Sequence, residues 1–266
     1  MRSAGKSDIG LVRKVNEDDF LCLKLNDLLK FENPGLDLYL CIVADGMGGR
    51  NAGEVASSMA VHEIVEFIKE KYINVLVEKD TAEDKIFDLI RDAIYYSNDR
   101  IYKKSLLNSE YVGMGTTLSM ILIKDNTLFY GHVGDSRIYL IRKNEITRLT
   151  EDHSLVAELV KQGTIKPEEA FSHPQKNIIT RALGTEYDIE ADLGKYEMAE
   201  GDYILLCTDG LSNLINDNEI MELLLSSKDI EQACDNLINR AKENGGFDNI
   251  TVVVIHNSKG GDCIDR

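Results

Sequence analysis

Four aspartates stand in turns beside apolar runs, and their placement is what suits this chain to chemistry. They are Asp45 in Cys41-Ile42-Val43-Ala44-Asp45-Gly46, Asp135 in Gly134-Asp135-Ser136-Arg137, Asp209 in Leu205-Leu206-Cys207-Thr208-Asp209-Gly210, and Asp248 in Gly246-Phe247-Asp248-Asn249. A strand that is apolar throughout is buried on both faces, so an acid at its end is aimed rather than free on a helix surface. Glycine next to the acid lets backbone or ligand approach closely. Carboxylates that converge repel: two charges about 4 Å apart cost roughly 4 kcal/mol at an effective dielectric of about 20. A hard divalent cation offsets that cost, and an oxygen-rich site suits Mg²⁺ or Mn²⁺. The expectation is a carboxylate cage for metal.

The elements that must position these acids follow from hydrophobic periodicity. Residues 8–25 and 37–44 read as strands, with a turn at Asn33-Pro34-Gly35 between them. From Gly53 to Tyr72 the apolar positions Val55, Ala56, Met59, Ala60, Ile64, Val65 and Ile68 take up helical spacing. A second helix is expected from Ala82 to Lys104, on Ile86, Leu89, Ile90, Ala93, Ile94 and Ile101. Strands return at Thr116–Ile123, Thr127–Val133, Ser136–Arg142 and Glu145–Leu149, with hairpin turns at Lys124-Asp125-Asn126 and Arg142-Lys143-Asn144. Residues 152–163 suggest a short helix closed by Gly163, and the weakly patterned stretch 163–187, with Pro167 and Pro174, reads as a flap. Strands at Asp188–Glu197 and Asp202–Thr208, helices at Asp217–Ser226 and Asp229–Glu243, and a strand at Ile250–His256 complete the pattern ahead of a polar tail over 258–266. Hairpin-linked strands with helices packed on them predict an α+β fold with mainly antiparallel sheets. No repeat or linker divides the sequence, so one domain over 1–257 is expected, with the flap inside it.

Composition narrows the class. The chain has 266 residues, 43% hydrophobic and 29% charged, ordinary for a globular protein with a sizeable core. A net charge of −16 argues against a nucleic-acid partner, whose phosphates need a basic face. It does not argue against phosphate chemistry, since bound cations reverse the local field. The five cysteines, Cys22, Cys41, Cys207, Cys234 and Cys263, are odd in number and show no close pairing, which fits a reduced, cytoplasmic setting. No zinc spacing appears, no apolar leader lies between Arg2 and Asp19, and no apolar run approaches the roughly 20 residues that span a bilayer. A membrane is therefore not an expected partner.

In chain order, the motifs resemble the metal-dependent type-2C protein serine/threonine phosphatases, and the compact bacterial members above all. The blocks are Ser7-Asp8-Ile9-Gly10-Leu11-Val12-Arg13-Lys14-Val15-Asn16-Glu17-Asp18, Val43-Ala44-Asp45-Gly46-Met47-Gly48-Gly49, Gly113-Met114-Gly115-Thr116-Thr117, Gly134-Asp135-Ser136-Arg137, Thr180-Arg181-Ala182-Leu183-Gly184, Cys207-Thr208-Asp209-Gly210-Leu211 and Asp248-Asn249-Ile250-Thr251-Val252. The resemblance implies a four-layer α-β-β-α sandwich, two mainly antiparallel sheets flanked by helix pairs, with metals at one edge between the sheets. It implies that Asp45 bridges two Mn²⁺ or Mg²⁺ ions, that the Gly46 carbonyl ligates one, and that Asp209 and Asp248 bind the other. Glu17 and Asp18 would act through metal-bound water, and Asp135 matches the ligand of a third, weaker ion with Asp209 shared. The implied activity is hydrolysis of phosphoserine and phosphothreonine in proteins by a metal-bridging hydroxide, opposing a bacterial Ser/Thr protein kinase. A monomer is the expected form.

Elementary chemistry gives similar roles. Two ions about 3.5–4 Å apart lower the pKa of a bridging water from about 15.7 towards 7 and neutralise phosphate charge, so no covalent nucleophile is needed. Arg13, five residues before Asp18, can project from the same strand to phosphate, where its planar fork binds two oxygens as lysine cannot. Other assignments stay open: Asp135 could instead pair with Arg137, Glu17 and Asp18 could form a solvated face, and Asn16 and Asn249 suit bracing the loops. Cys234 and Arg240 have the Cys-x5-Arg spacing of cysteine-dependent phosphatases. Ile230, Cys234, Leu237, Ile238 and Ala241 keep helical spacing there, so a buried helical thiol is expected.

The acid step departs from the family pattern. Many eukaryotic members have a histidine where this chain has Met47; bacterial members often have one where it has Arg50, which stays protonated and cannot serve. His153 and His173 near the flap remain as side-chain candidates, with metal-bound water as the default donor. Two rival readings stand beside the phosphatase: another two-metal phosphoesterase, and a catalytically silent regulatory module that keeps the fold. The flap is expected to carry substrate choice, since loops on a rigid scaffold usually carry recognition.

Overall fold

The computed structural model describes residues 1–25, 38–49, 52–71, 76, 81–170 and 173–258. The Asn33-Pro34-Gly35 turn, Arg50, Tyr72, Cys263 and the tail from 259 lie outside the described residues. In chain order, β1 (Arg2–Asp8), β2 (Asp18–Lys24) and β3 (Leu38–Met47) lead to helices α1 (Ala52–Lys71) and α2 (Glu83–Leu107). After a 3-10 turn at Ser109–Tyr111 come β4 (Gly115–Thr116), β5 (Leu118–Lys124), β6 (Thr127–Val133), β7 (Arg137–Arg142) and β8 (Glu145–Arg148). Helices α3 (Leu155–Lys161) and α4 (Pro167–Ala170) precede β9 (Asp192–Glu197) and β10 (Tyr203–Cys207). Helices α5 (Asp209–Ser212), α6 (Asp217–Ser226) and α7 (Ile230–Glu243) lead to β11 (Ile250–His256).

The strands form two antiparallel sheets, one in the order β1-β11-β10-β7-β8 and the other β2-β3-β5-β6-β9, with β4 added to β3. Alternation along each strand sorts residues between three cores. Leu38, Leu40, Ile42 and Ala44 of β3 face the helices, in one cluster with Ile64 and Ile68 of α1 and Leu89 and Ile94 of α2. Tyr39, Cys41 and Val43 turn the other way, meeting Ile138, Leu140, Ile204, Leu206 and Val253 of the second sheet. The outer face of that sheet presents Leu205, Cys207, Val252 and Val254 to Ile220, Leu224, Leu237 and Ile238 of α6 and α7. The layers are therefore helix, sheet, sheet, helix. Double burial is why β3, β10 and β11 read as apolar without alternation. The hairpin turns fall where the sequence placed them, with left-handed φ of 56° at Asp125, 49° at Lys143 and 64° at Asn144.

The N-terminal stretch differs from expectation. Residues 8–25 are not one strand: β1 ends at Asp8, and residues 9–17 form a loop of turns and bends before β2. β1 is half-exposed along its length as the edge strand of its sheet, so it carries no apolar signature. Arg13 consequently sits on the loop and does not share a strand with Asp18. The strand expected from Asp188 begins only at Asp192, and Asp209 opens the short helix α5 rather than a plain turn. The β2–β3 register also sets Cys22 opposite Cys41, with sulfurs 2.6 Å apart, a pairing that sequence spacing did not reveal.

Candidate active site

The acids gather where the ends of β2 and β3 meet the starts of α5 and β11. Register places Asp18 directly opposite Asp45. The hydroxyls of Thr208 and Thr251 both donate to Asp18 Oδ2, at 2.9 and 2.7 Å. They tie the edge of one sheet to the β10 and β11 ends of the other, beside Asp209 and Asp248. Asp45 is held by its backbone: its N–H donates to Thr117 Oγ1 and its carbonyl accepts from the Thr116 hydroxyl, each at 3.0 Å. The two Asp-Gly pairs have a shared reason. A Cβ on Gly46 would land on the Gly53 carbonyl at the start of α1, and one on Gly210 would land on the Asn249 carbonyl, so only glycine lets these elements close on the acids.

The loop before β2 is braced by the two asparagines. Asn249 accepts the Glu17 N–H at 2.8 Å and donates to the Ile9 and Val15 carbonyls, both at 3.0 Å. Asn16 donates to Ser7 Oγ at 2.7 Å. Arg13 is thereby brought to Asp248, donating to its Oδ2 at 2.7 Å, with the two side chains still 47% and 35% exposed. An arginine this open can release its partner and reach an arriving anion. Asp209 Oδ2 accepts from Asn213 Nδ2 at 2.9 Å.

Repulsion among these groups shows in their proton affinities. Burial, followed by the charges of Asp18, Asp209, Asp135 and Asp248, holds the Asp45 carboxyl well above the ordinary range. Burial pushes Asp18 up to about 7 against its two threonine donors, with Asp209 and Asp248 adding to the rise. Asp209 is raised to about 6 by burial and by Asp248, opposed by its hydrogen bond with Asp45. Glu17 is raised by burial against the pull of Arg13, and Asp135 well above its usual value by burial and Asp209. Asp18 Oδ1 and Asp135 Oδ1 are buried with no hydrogen-bond partner. Each such atom costs about 1–3 kcal/mol, a cost that a bound cation would remove.

Among the described residues no three or more His, Cys, Asp or Glu side chains form a ready-made metal-holding group. The acids instead meet pairwise, coupled from Asp135 through Asp209 and Asp45 to Asp18. The donors are all oxygen, two of their atoms are orphaned, and Arg13 at the rim is the cation bonded to them. Those residues fit hard divalent ions.

Asp135 does not pair with Arg137. That guanidinium holds Asp152 through contacts of 2.7–3.2 Å and the Tyr139 hydroxyl at 3.1 Å, so its charge reaches Asp135 only at a distance, without a hydrogen bond. Nor is His153 a free proton donor. Its Nδ1 accepts the Gly134 N–H at 3.0 Å, its backbone N–H donates to the Gly134 carbonyl at 2.7 Å, and its Nε2 faces Asp192 at 3.2 Å. His153 clamps the Asp135 loop. His173 accepts the Gln175 N–H at 3.1 Å within a local turn. Cys234 lies buried on α7, its thiol pushed up to about 12 by burial, which removes the cysteine-phosphatase reading.

Sequence reasoning missed Thr208 and Thr251, the donors to Asp18. Their signal was available: each is a hydroxyl at the end of an apolar strand beside a motif acid. It also missed His132, buried against the His153 ring at 4.9 Å between centroids and bonded to Ser119 Oγ at 2.9 Å and the Glu151 carbonyl at 3.0 Å. A cavity of about 520 Å³ opens beside Asp135 and Asp209, with Val156, Val160, Pro167 and Lys176 in its wall.

Fold and site together define an α-β-β-α sandwich built round a buried, oxygen-lined acid cluster. The profile of the family Protein phosphatase 2C matches residues 24–251. A putative protein phosphatase 2C-type of Streptococcus pyogenes is 39% identical over 258 residues, 97% of this chain and 98% of that one. The S. agalactiae serine/threonine phosphatase superposes with a TM-score of 0.84 at 38% identity, covering 96% of this chain and 98% of its own. The catalytic domain of the serine threonine protein phosphatase PstP, solved in complex with 2 manganese ions, gives a TM-score of 0.77 at 36% identity, covering 95% and 96%. The chain belongs to the protein phosphatase 2C family, alongside these bacterial members.

Proposed function

We propose that this chain hydrolyses phosphoserine and phosphothreonine in proteins and depends on Mn²⁺ or Mg²⁺ to do so. The observation that carries the reading is the pair of buried, partnerless oxygens, Asp18 Oδ1 and Asp135 Oδ1, in a cluster whose acids raise one another's proton affinity. Asp45, the Gly46 carbonyl, Asp209 and Asp248 would hold two ions, and Asp135 with Asp209 a third. When bound, such ions neutralise phosphate charge and acidify water into a nucleophile. Arg13 leaves Asp248 to grip two phosphate oxygens and so fixes the phosphoryl group at the rim. Asp18 and Glu17 orient water at that edge. With His153 occupied and Met47 carrying no proton, water held at the metal site would supply the proton for the departing alkoxide.

The chain is one phosphatase domain over 1–257, working as a monomer in the cytoplasm. Residues 163–187 select substrates from beside the cavity at Asp135. Phosphorylated proteins are the substrates, and a Ser/Thr protein kinase supplies the phosphorylation that is reversed. Among the described residues no helix is long and apolar enough to cross a membrane, and the net charge of −16 disfavours a nucleic-acid partner.

The test is hydrolysis of defined phosphopeptides with Mn²⁺, Mg²⁺ or chelator, beside phosphotyrosine, nucleotide and diester controls. Release from phosphoserine and phosphothreonine should vanish with chelator and return with metal, and Asp209→Asn should abolish it. Turnover that survives chelation, or a preference for nucleotides or diesters, would overturn the proposal. So would the lack of any metal-dependent release from phosphopeptides.

A further inference from the structure

Below the acid cluster, β2 and β3 each carry a cysteine four residues from the motif acid of that strand. The register that pairs Asp18 with Asp45 also pairs Cys22 with Cys41. Side chains at directly opposed antiparallel positions share a sheet face, with Cβ atoms about 4.5–5.5 Å apart. Here the sulfurs are in contact at 2.6 Å, so covalent closure to about 2.05 Å needs only a small approach of the two sulfurs. The two thiols are not equivalent. Cys41 is fully buried in the layer between the sheets, whereas Cys22 is partly exposed on β2, the strand at the end of its sheet. The hydrogen bond from Cys41, aided by Ser3, pulls the Cys22 thiol below its ordinary range; burial, then Cys22, pushes Cys41 far up. One sulfur is thus partly exposed and more readily deprotonated, though it packs against the same layer, and the other lies buried against it.

We propose that Cys22 and Cys41 form a reversible dithiol–disulfide site that takes a hydroperoxide as its oxidant and staples β2 to β3 beneath the acid cluster. In the first step the Cys22 thiolate attacks the outer peroxide oxygen, the O–O bond breaks, and the alkoxide leaves as an alcohol after taking a proton. Cys22 is then a sulfenic acid. In the second step Cys41 Sγ attacks Cys22 Sγ, the S–O bond breaks, and the departing hydroxide takes the Cys41 proton and leaves as water. Two thiols and one hydroperoxide become one disulfide, one alcohol and one water. A dithiol reductant reverses the change by exchange. The staple closes the chain between residues 22 and 41 and pins β2 to β3, its sheet partner among the described residues, so the oxidised protein resists melting.

The experiment uses the full chain. Folded protein is treated with dilute tert-butyl hydroperoxide, the oxidant is removed, remaining thiols are blocked with N-ethylmaleimide in denaturant, and digests are read by mass spectrometry alongside thermal melts of the unblocked protein. The expected result is a Cys22–Cys41 linked peptide lighter by two hydrogens, abolished by dithiothreitol, with Cys207 and Cys234 still alkylated. The melting temperature should rise by about 5 °C on oxidation and fall back on reduction. In Cys41→Ala, a dimedone adduct should accumulate on Cys22, which checks the first step without the second. Linkage of Cys22 to another cysteine or another chain, over-oxidation of Cys22 with Cys41 still free, or no thiol loss in the folded protein would each overturn the proposal.

Discussion

Removing one charge from the acid cluster should make the metal-free protein more stable while weakening its hold on metal, and Asp18→Asn is the cleanest such change. Asparagine keeps an oxygen to accept the Thr208 and Thr251 hydroxyls, so the brace survives and only the charge is lost. The Asp18 carboxyl stands at about 7 in the folded chain against an ordinary 3.8, chiefly through burial. That gap of about three units corresponds to roughly 4 kcal/mol, at about 1.36 kcal/mol per unit. Burial is the larger cause, with the charges of Asp209 and Asp248 adding, and the buried asparagine amide keeps part of the burial cost, so the substitution recovers on the order of 2 kcal/mol. For an acid whose folded value is raised, the native state binds more protons than the unfolded chain between pH 3.8 and about 7. Its contribution to stability is therefore favourable at low pH and is lost as pH rises through that window. In chelator at pH 8 the substituted protein should melt about 4–8 °C above the unsubstituted one, and the difference should close towards pH 4. Saturating Mn²⁺ should narrow or reverse the order, because ligand binding stabilises the protein that binds it more tightly. Equal or lower stability of Asp18→Asn in chelator at pH 8 would refute the reading that burial and neighbouring charges penalise the Asp18 carboxylate.

Two further outcomes follow from named contacts. Arg13→Lys keeps a charge near Asp248 but loses the two-point fork, so kcat/KM on a phosphopeptide should fall by roughly 10- to 100-fold; a fall of less than twofold would remove Arg13 from phosphate binding. His132 is lowered to about 4 by burial, with His153 adding, so the folded protein binds fewer protons than the unfolded chain between about 4 and 6.5. Stability from that group is full above 6.5 and is lost as pH falls towards 4, by about 3 kcal/mol. The carboxylates run the opposite way, so the measurement is the difference in urea midpoint between the protein and His132→Gln at pH 7 and pH 4.5. A difference that does not change with pH would sink the assignment.

The sandwich was legible because strands buried on both faces and amphipathic helices leave different periods in a sequence. Apolar runs such as Leu38–Ala44 and the helical stripe through Ile64 and Ile68 marked elements that the structure contains. β1 was not legible: at a sheet edge, Arg2–Asp8 is held by backbone bonds to β11, which place no demand on side-chain polarity. The loop position of Arg13 was lost with it. At the site, the acids announced themselves by type and by their neighbours, and convergence followed once the elements were placed. What the acids lean on was harder to see. Asp18 depends on hydroxyls 190 and 233 residues away in sequence, and the Arg137–Asp152 pair that leaves Asp135 without an ion-pair partner is a choice between two nearby acids. Register, rather than spacing, brought Cys22 to Cys41.

β11 lies between β1 and β10, with Ser7 opposite Thr251 and Asp8 opposite Ile250. A polypeptide emerging from the ribosome has most of its motif acids long before it has this strand. Until residues 248–256 appear, the Arg13 loop lacks the Asn249 brace, and Asp18 has one hydroxyl donor in place of two. The Arg13 loop and the Asp18 brace therefore cannot be complete before β11 is made and the first strand gains its neighbour.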